Sequence, residues 1–132
     1  MEKRIRELFP EIEWIKDKGM QDKVVASYVD ALKIGGWEPD DMDKIPFTLL
    51  IPNCPFTYLD HVKGVTRIAK KAMDEFNAIY SAKDPKFTLD NDLLVAGALL
   101  HDVGKLVEYE KNAAGETVKS TMGKNLRHPF SG

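Results

Sequence analysis

Two histidines and an aspartate are the residues of this 132-residue chain best suited to chemistry. His101 and Asp102 directly follow the apolar run at residues 93–100, and His61 lies well upstream. A carboxylate at the end of a buried segment needs a hydrogen-bond partner, an opposite charge or a metal ion. Imidazole nitrogen and carboxylate oxygen suit divalent ions such as Mn, Fe, Co, Zn, Ni or Mg. These side chains predict a metal site, provided that the fold brings them together.

The chemistry of such a site follows from its ligand number. Three protein ligands leave coordination positions for water, and a bound ion lowers the pKa of that water towards neutrality. Lys105 follows Gly104 and is placed to hold an anionic group such as a phosphoryl oxygen. The simpler interpretation, in which Asp102 caps a helix or pairs with Lys105, stays open at this stage.

Two helices are predicted around these residues, with His61 near the start of the first and His101 at the end of the second. Thr57, with Asp60 three residues on, forms a capping box that begins a long helix. The apolar stripe of this helix is predicted to face the core and includes Tyr58, Ile68, Ile79 and Tyr80. His61 falls on that stripe, in the first turn. Asp90 is the predicted cap of a second helix, which is apolar on every side over residues 93–100 and is expected to be buried all round. If the two helices are antiparallel, His61 and His101 meet.

The chain before residue 57 is predicted to be helical and then irregular. Apolar residues at helical spacing, interrupted at Pro10, indicate two short pieces that end at Gly19. A helix from Gln21 to about Ile34 follows, and the Gly35-Gly36 pair is predicted to end it. Four prolines in residues 37–56 predict a connecting loop with at most one helical turn. Its apolar residues are expected to pack on the rest of the protein; they are Phe47, Leu49, Leu50 and Ile51.

Composition excludes several other classes of protein. The chain has 19 Lys and Arg against 21 Asp and Glu, a net charge of −2, so it carries no strong nucleic-acid signal. The single cysteine, Cys54, favours a reducing compartment and is interpreted as a packing residue. No apolar run is long enough for a membrane span, and the N-terminus does not resemble a signal peptide. We expect a cytoplasmic protein.

The pattern formed by His61, the segment LLHDVGK at residues 99–105 and the pair His128-Pro129 resembles the HD-domain superfamily of metal-dependent phosphohydrolases. The resemblance covers about residues 57–132. It implies an all-α, HD-like helical bundle. The polar, turn-like sequence near residues 106–120 predicts a small β-hairpin or a loop there. Residues 1–56, outside the resemblance, are expected to form an N-terminal helical segment with a proline-rich connection that packs on the core.

The resemblance further assigns roles at the site. His61, His101 and Asp102 correspond to metal ligands, with Asp102 able to bridge two ions. His128 corresponds to an additional histidine that binds a second metal or contacts phosphate, and Lys105 to the lysine on the phosphate side. Asp102 and Lys105 are therefore the expected catalytic residues. The implied substrate is a small phosphomonoester or phosphodiester, with nucleotides as the favoured class.

The family pattern continues to a further Asp on a later helix, whereas this sequence ends at Gly132. The domain is therefore expected to be short at its C-terminal end. Two alternatives to hydrolysis follow: a non-catalytic metal- or nucleotide-binding regulatory module, and an HD-type di-iron oxygenase. A shortened bundle would expose apolar surface, so a homo-oligomer is also expected.

Overall fold

A computed structural model describes residues 1–126 as a mostly helical protein with one small antiparallel sheet, which confirms the predicted fold class. The α-helices are α1 (Glu2–Leu8), α2 (Lys18–Gly35), α3 (Tyr58–Phe76), α4 (Asn91–Leu100), α5 (Lys105–Glu108) and α6 (Thr121–Asn125). Short 3-10 turns occupy Pro10–Trp14, Pro39–Asp43 and Pro85–Phe87, and a π-helical turn, Asn77–Ser81, extends α3. The strands β1 (Tyr109–Lys111) and β2 (Thr117–Lys119) form a hairpin, one of the two alternatives expected near residues 106–120.

The first helical pieces end earlier than predicted. Pro10 separates α1 from a 3-10 turn, as expected, but Gly19 lies in the first turn of α2 and not at the end of a helix. The reason is Asp17, whose carboxylate accepts a hydrogen bond from Met20 N at 3.0 Å and so caps α2. Gly36 ends α2 in the left-handed conformation, with φ of 72°.

The long helices α3 and α4 pack antiparallel, as contacts at both of their ends show. At one end His61 lies beside His101. At the other, the Asn77 side chain exchanges hydrogen bonds with the backbone of Leu89, just before α4. The predicted caps are confirmed, because Thr57 and Asp60 form a reciprocal capping box and Asp90 accepts from Leu93 N at 2.9 Å.

One hydrophobic cluster includes side chains from both parts of the chain. Ile5, Phe9, Tyr28 and Leu32 from the N-terminal part pack with residues of α3 and α4, among them Val62, Val95 and Leu99. Trp37, Met42 and Ile45 belong to the same cluster, so the start of the proline-rich connection packs on the rest of the protein. Among the described residues, no helix combines the length and the hydrophobicity needed to cross a bilayer.

Several predictions of burial were wrong. Leu50 and Ile51 are exposed at the tip of the connection, and Ile68, Ile79 and Tyr80 are exposed on the far side of α3 and its extension. Leu93 is 67% exposed, so α4 is not buried all round. The physical reason is that, within residues 1–126, the elements packed on α3 and α4 cover only part of each helix surface.

Candidate metal site

The first turn of α3 positions His61. The backbone N–H of His61 donates to Thr57 O at 3.1 Å, so the capping box that fixes the start of the helix also fixes this residue. The imidazole is half-buried, and Nε2 lies 3.1 Å from Asp102 Oδ2. His61 therefore points from the apolar face of α3 towards the end of α4.

The end of α4 positions the other two residues. His101 is the C-cap of α4, and its Nδ1 lies 2.6 Å from Ala98 O in the last turn. Donation from Nδ1 to this carbonyl leaves Nε2 as the acceptor nitrogen, the arrangement common in histidine metal ligands. His101 Nε2 lies 3.1 Å from His61 Nε2 and 3.5 Å from Asp102 Oδ2.

The ligand atoms of His61, His101 and Asp102 all lie within 4.8 Å of one another. Two imidazole nitrogens and a carboxylate oxygen facing one point form a donor set that fits a divalent ion. Three protein ligands of this kind also leave room in the coordination sphere for water or substrate. The structure thus brings together three of the four predicted metal ligands; the fourth, His128, lies outside the described residues.

Lys105 lies next to these ligands and is almost fully buried. Its Nζ donates to Asp102 Oδ2 at 3.0 Å and to Phe47 O at 3.0 Å, and it lies 4.7 Å from the centroid of the Phe47 ring. Only 7% of the residue is exposed. The pairing of Lys105 with Asp102, left open on the sequence, is therefore present, and it places a positive charge beside the predicted ligands.

The electrostatics of the site favour the ligating form of His61. Burial lowers the pKa of His61, and the positive charge of Lys105 lowers it further, whereas Asp102 opposes both effects. Because the net direction is downwards, His61 is held in its neutral form, the form that donates a lone pair to a metal.

Sequence reasoning missed three aromatic residues around the site. The Tyr28 hydroxyl donates to Leu99 O at 2.5 Å and lies 3.4 Å from the Tyr58 hydroxyl, with both tyrosines fully buried. The Phe47 ring packs on His61 with centroids 4.4 Å apart. In the sequence, Tyr28 and Tyr58 fit only the apolar periodicity of their helices, and no spacing links them or Phe47 to the site.

A sequence model described as the HD domain matches residues 58–132, more than half of the chain. The chain belongs to the HD-domain family. The matched span contains His61, His101, Asp102 and Lys105, so the resemblance noted from the sequence is confirmed at the level of the family. Comparisons with curated proteins and with solved structures gave no match.

Family membership gives the site a chemical context. HD domains bind divalent metals and belong to a superfamily of metal-dependent phosphohydrolases. In this HD domain the group that could hold a metal, called here the metal-binding group, consists of His61, His101 and Asp102, from the first turn of one helix and the end of the next.

Proposed function

We propose that this HD domain is a metal-dependent phosphohydrolase that cleaves a phosphomonoester or phosphodiester, with nucleotides as the substrate class. The observation that supports this most directly is the convergence of the His61, His101 and Asp102 ligand atoms within 4.8 Å. All three lie within the region matched by the HD family. When bound by these residues, a divalent ion supplies Lewis acidity and activates water for attack on phosphorus.

The chain's own residues prepare the site for that chemistry. His101 keeps Nε2 directed into the site because Nδ1 is held by Ala98 O. Lys105 orients the Asp102 carboxylate and partly balances its negative charge. An ammonium carries three N–H donors, and the contacts with Asp102 and Phe47 use two of them. The third is the donor that we assign to a phosphoryl oxygen, consistent with the lysine expected on the phosphate side.

The test combines metal content with hydrolysis. Purified protein is dialysed against Mn²⁺ and its metal content measured by mass spectrometry, followed by assays with p-nitrophenyl phosphate, bis(p-nitrophenyl) phosphate and a panel of nucleotides. The double variant His101→Ala, Asp102→Ala is expected to lose both bound metal and hydrolysis. Asp22→Asn serves as the control, because Asp22 is exposed and pairs only at the surface with Arg6.

Three results would contradict the proposal. Wild-type levels of metal and activity in the double variant would show that His101 and Asp102 do not form the metal site. Stoichiometric metal without hydrolysis of any ester would favour the regulatory module, and iron with oxygen consumption would favour the di-iron oxygenase.

A further inference from the structure

A small recess opens beside the metal-binding group, on the side of the proline-rich connection. It has a volume of about 170 Å³ and is lined by Phe47, Phe56, Asp60 and His61. This is below the roughly 300–1,000 Å³ of pockets that enclose a whole drug-sized ligand. Because His61 belongs to both the recess and the metal-binding group, a molecule in the recess directly adjoins the reacting centre.

The backbone holds the two phenylalanines side by side. Phe47 N donates to Phe56 O at 2.9 Å, and Tyr58 N donates to Ile45 O at 2.8 Å, so the two ends of the segment between them are tied together. Pro46 and Thr57 form an isolated antiparallel bridge at the same place. The aromatic pair is therefore fixed relative to α3, which carries His61 and Asp60.

The two rings differ in what they already contact. Phe47 packs on His61 and lies under the Lys105 ammonium, so its ring is engaged within the protein. Phe56 is 61% exposed although it lies next to this site. A single exposed apolar residue is ordinary, but an exposed ring on a rigid backbone beside a polar centre provides a flat surface for stacking.

The charges around the recess determine which end of a ligand it accepts. Asp60 places a carboxylate at the recess, with Oδ2 accepting from Thr57 N at 3.0 Å. An anionic phosphate is disfavoured beside that carboxylate, whereas an amino group of a planar ring is a suitable donor to it. The positive charge of Lys105 is not among the groups that line the recess; it lies 4.7 Å from the centroid of the Phe47 ring and pairs with Asp102.

From these contacts we infer that the recess binds the base of a nucleotide, stacked on Phe56 with its amino edge towards Asp60, while the phosphate lies at the Lys105 side. Phe56 is then a specificity-determining residue. This inference rests on the proposed function for the position of the phosphate, but binding of the base requires only the recess.

Two measurements test the inference separately. In the first, saturation-transfer NMR compares adenosine with ribose in the presence of EDTA, so that neither metal nor hydrolysis contributes. Adenosine is expected to receive saturation from the wild-type protein and to lose it with Phe56→Ala, and ribose to receive none. In the second, kcat/KM is measured for AMP and for ribose 5-phosphate. Phe56→Ala should lower the AMP value about tenfold, the size of one lost base–aromatic contact, and change the ribose 5-phosphate value less than about twofold.

Matched variants keep the result interpretable. Leu50→Ala removes another exposed apolar side chain from the same connection and should behave as wild type. Phe56→Tyr retains a ring and should restore the adenosine signal and the preference for AMP. Thermal unfolding verifies that every variant is folded.

The outcomes separate the two proposals. An adenosine signal that is absent, or that is unchanged in folded Phe56→Ala, overturns the inference, as does an equal loss of kcat/KM for both esters. If the wild-type protein hydrolyses no ester, the proposed function fails and the NMR comparison alone decides whether the recess binds a base.

Discussion

The Nε2 atoms of His61 and His101 face each other at 3.1 Å, although forty residues separate them along the chain. Antiparallel packing of α3 and α4 produces this contact, because the first turn of one helix lies against the end of the other. The Nε2 atom of each histidine also lies within 3.5 Å of Asp102 Oδ2. The site therefore forms because α3 and α4 pack against each other. Its metal binding and its stability should depend on the residues at the ends of these two helices.

Metal binding should stabilise the fold. An ion that binds the folded chain but not the unfolded chain, present at a hundred times its dissociation constant, raises the free energy of unfolding by about 2.7 kcal/mol. We expect Mn²⁺ to raise the melting temperature of the wild type in differential scanning fluorimetry, and EDTA to reverse the change. His101→Ala should show no such rise; an equal rise in that variant would place the ion elsewhere.

Lys105→Met should destabilise the metal-free protein by about 3 kcal/mol, because it deprives the buried Asp102 carboxylate of an adjacent positive charge. Urea unfolding in EDTA measures this loss, and unfolding with Mn²⁺ should show a smaller one because the ion supplies positive charge. Lys111→Met is the matched control, since Lys111 pairs with Asp41 at a half-exposed position and should cost less than about 1 kcal/mol. Equal costs for the two variants would contradict the prediction.

Tyr28→Phe should cost about 1–2 kcal/mol of unfolding free energy, because it leaves the buried carbonyl of Leu99 without its hydroxyl donor. Tyr58→Phe should cost less, since the Tyr58 hydroxyl makes a longer contact, 3.4 Å, with Tyr28. Chemical denaturation of both variants provides the comparison. A larger loss of unfolding free energy in Tyr58→Phe than in Tyr28→Phe would contradict the stabilisation of α4 by the Tyr28 hydroxyl.

Substitution by alanine should have opposite effects on stability at two glycines. At Gly35 an added Cβ would collide with Leu106 O and the Trp37 ring, so Gly35→Ala should destabilise the protein by about 1–3 kcal/mol. At Gly97, in the exposed part of α4, a Cβ meets nothing within 4 Å, so Gly97→Ala should stabilise by about 0.5–1 kcal/mol. Midpoints of urea unfolding measure both changes, and a destabilising Gly97→Ala would show that this face of α4 is not open.

Asp92 should make the stability of the protein depend on pH in the acid range. Hydrogen bonds from Lys16 N, the Asn91 side chain and Asp17 N lower the pKa of Asp92. A carboxylate whose pKa is lowered by folding stabilises the native state above its unfolded pKa of about 3.9, and that contribution disappears as the pH falls. Asp92→Asn should therefore lower the melting temperature at pH 7.

The difference between wild type and Asp92→Asn should narrow below about pH 4, where the wild-type carboxylate also becomes protonated. Thermal melts between pH 3 and pH 7 test this. Asp22→Asn, at an exposed pair, should differ little from wild type over the same range. A difference for Asp92→Asn that stays constant with pH would rule out a role for its charge.

Local signals in the sequence determined much of this protein. The capping residues Thr57, Asp60 and Asp90 fixed where the two long helices begin, because a cap acts on the backbone of its own first turn. The apolar spacing predicted the helices, the glycine pair predicted the end of α2, and the LLHDVGK segment identified the HD family. The predicted end at Gly19 was wrong because Asp17 starts a new helix there.

Tertiary structure alone decided the contacts among distant segments. The sequence states neither that Lys105 bonds to Phe47 O, nor that Phe56 lies at the recess beside His61, nor that Tyr28 holds Leu99. Periodicity also failed to show that Leu93 and Ile68 are exposed, since an apolar pattern gives the preference of a residue for burial and not the presence of a neighbour to cover it. The sequence by itself determined which residues can bind a metal, and the packing of α4 against α3 decided that three of them meet.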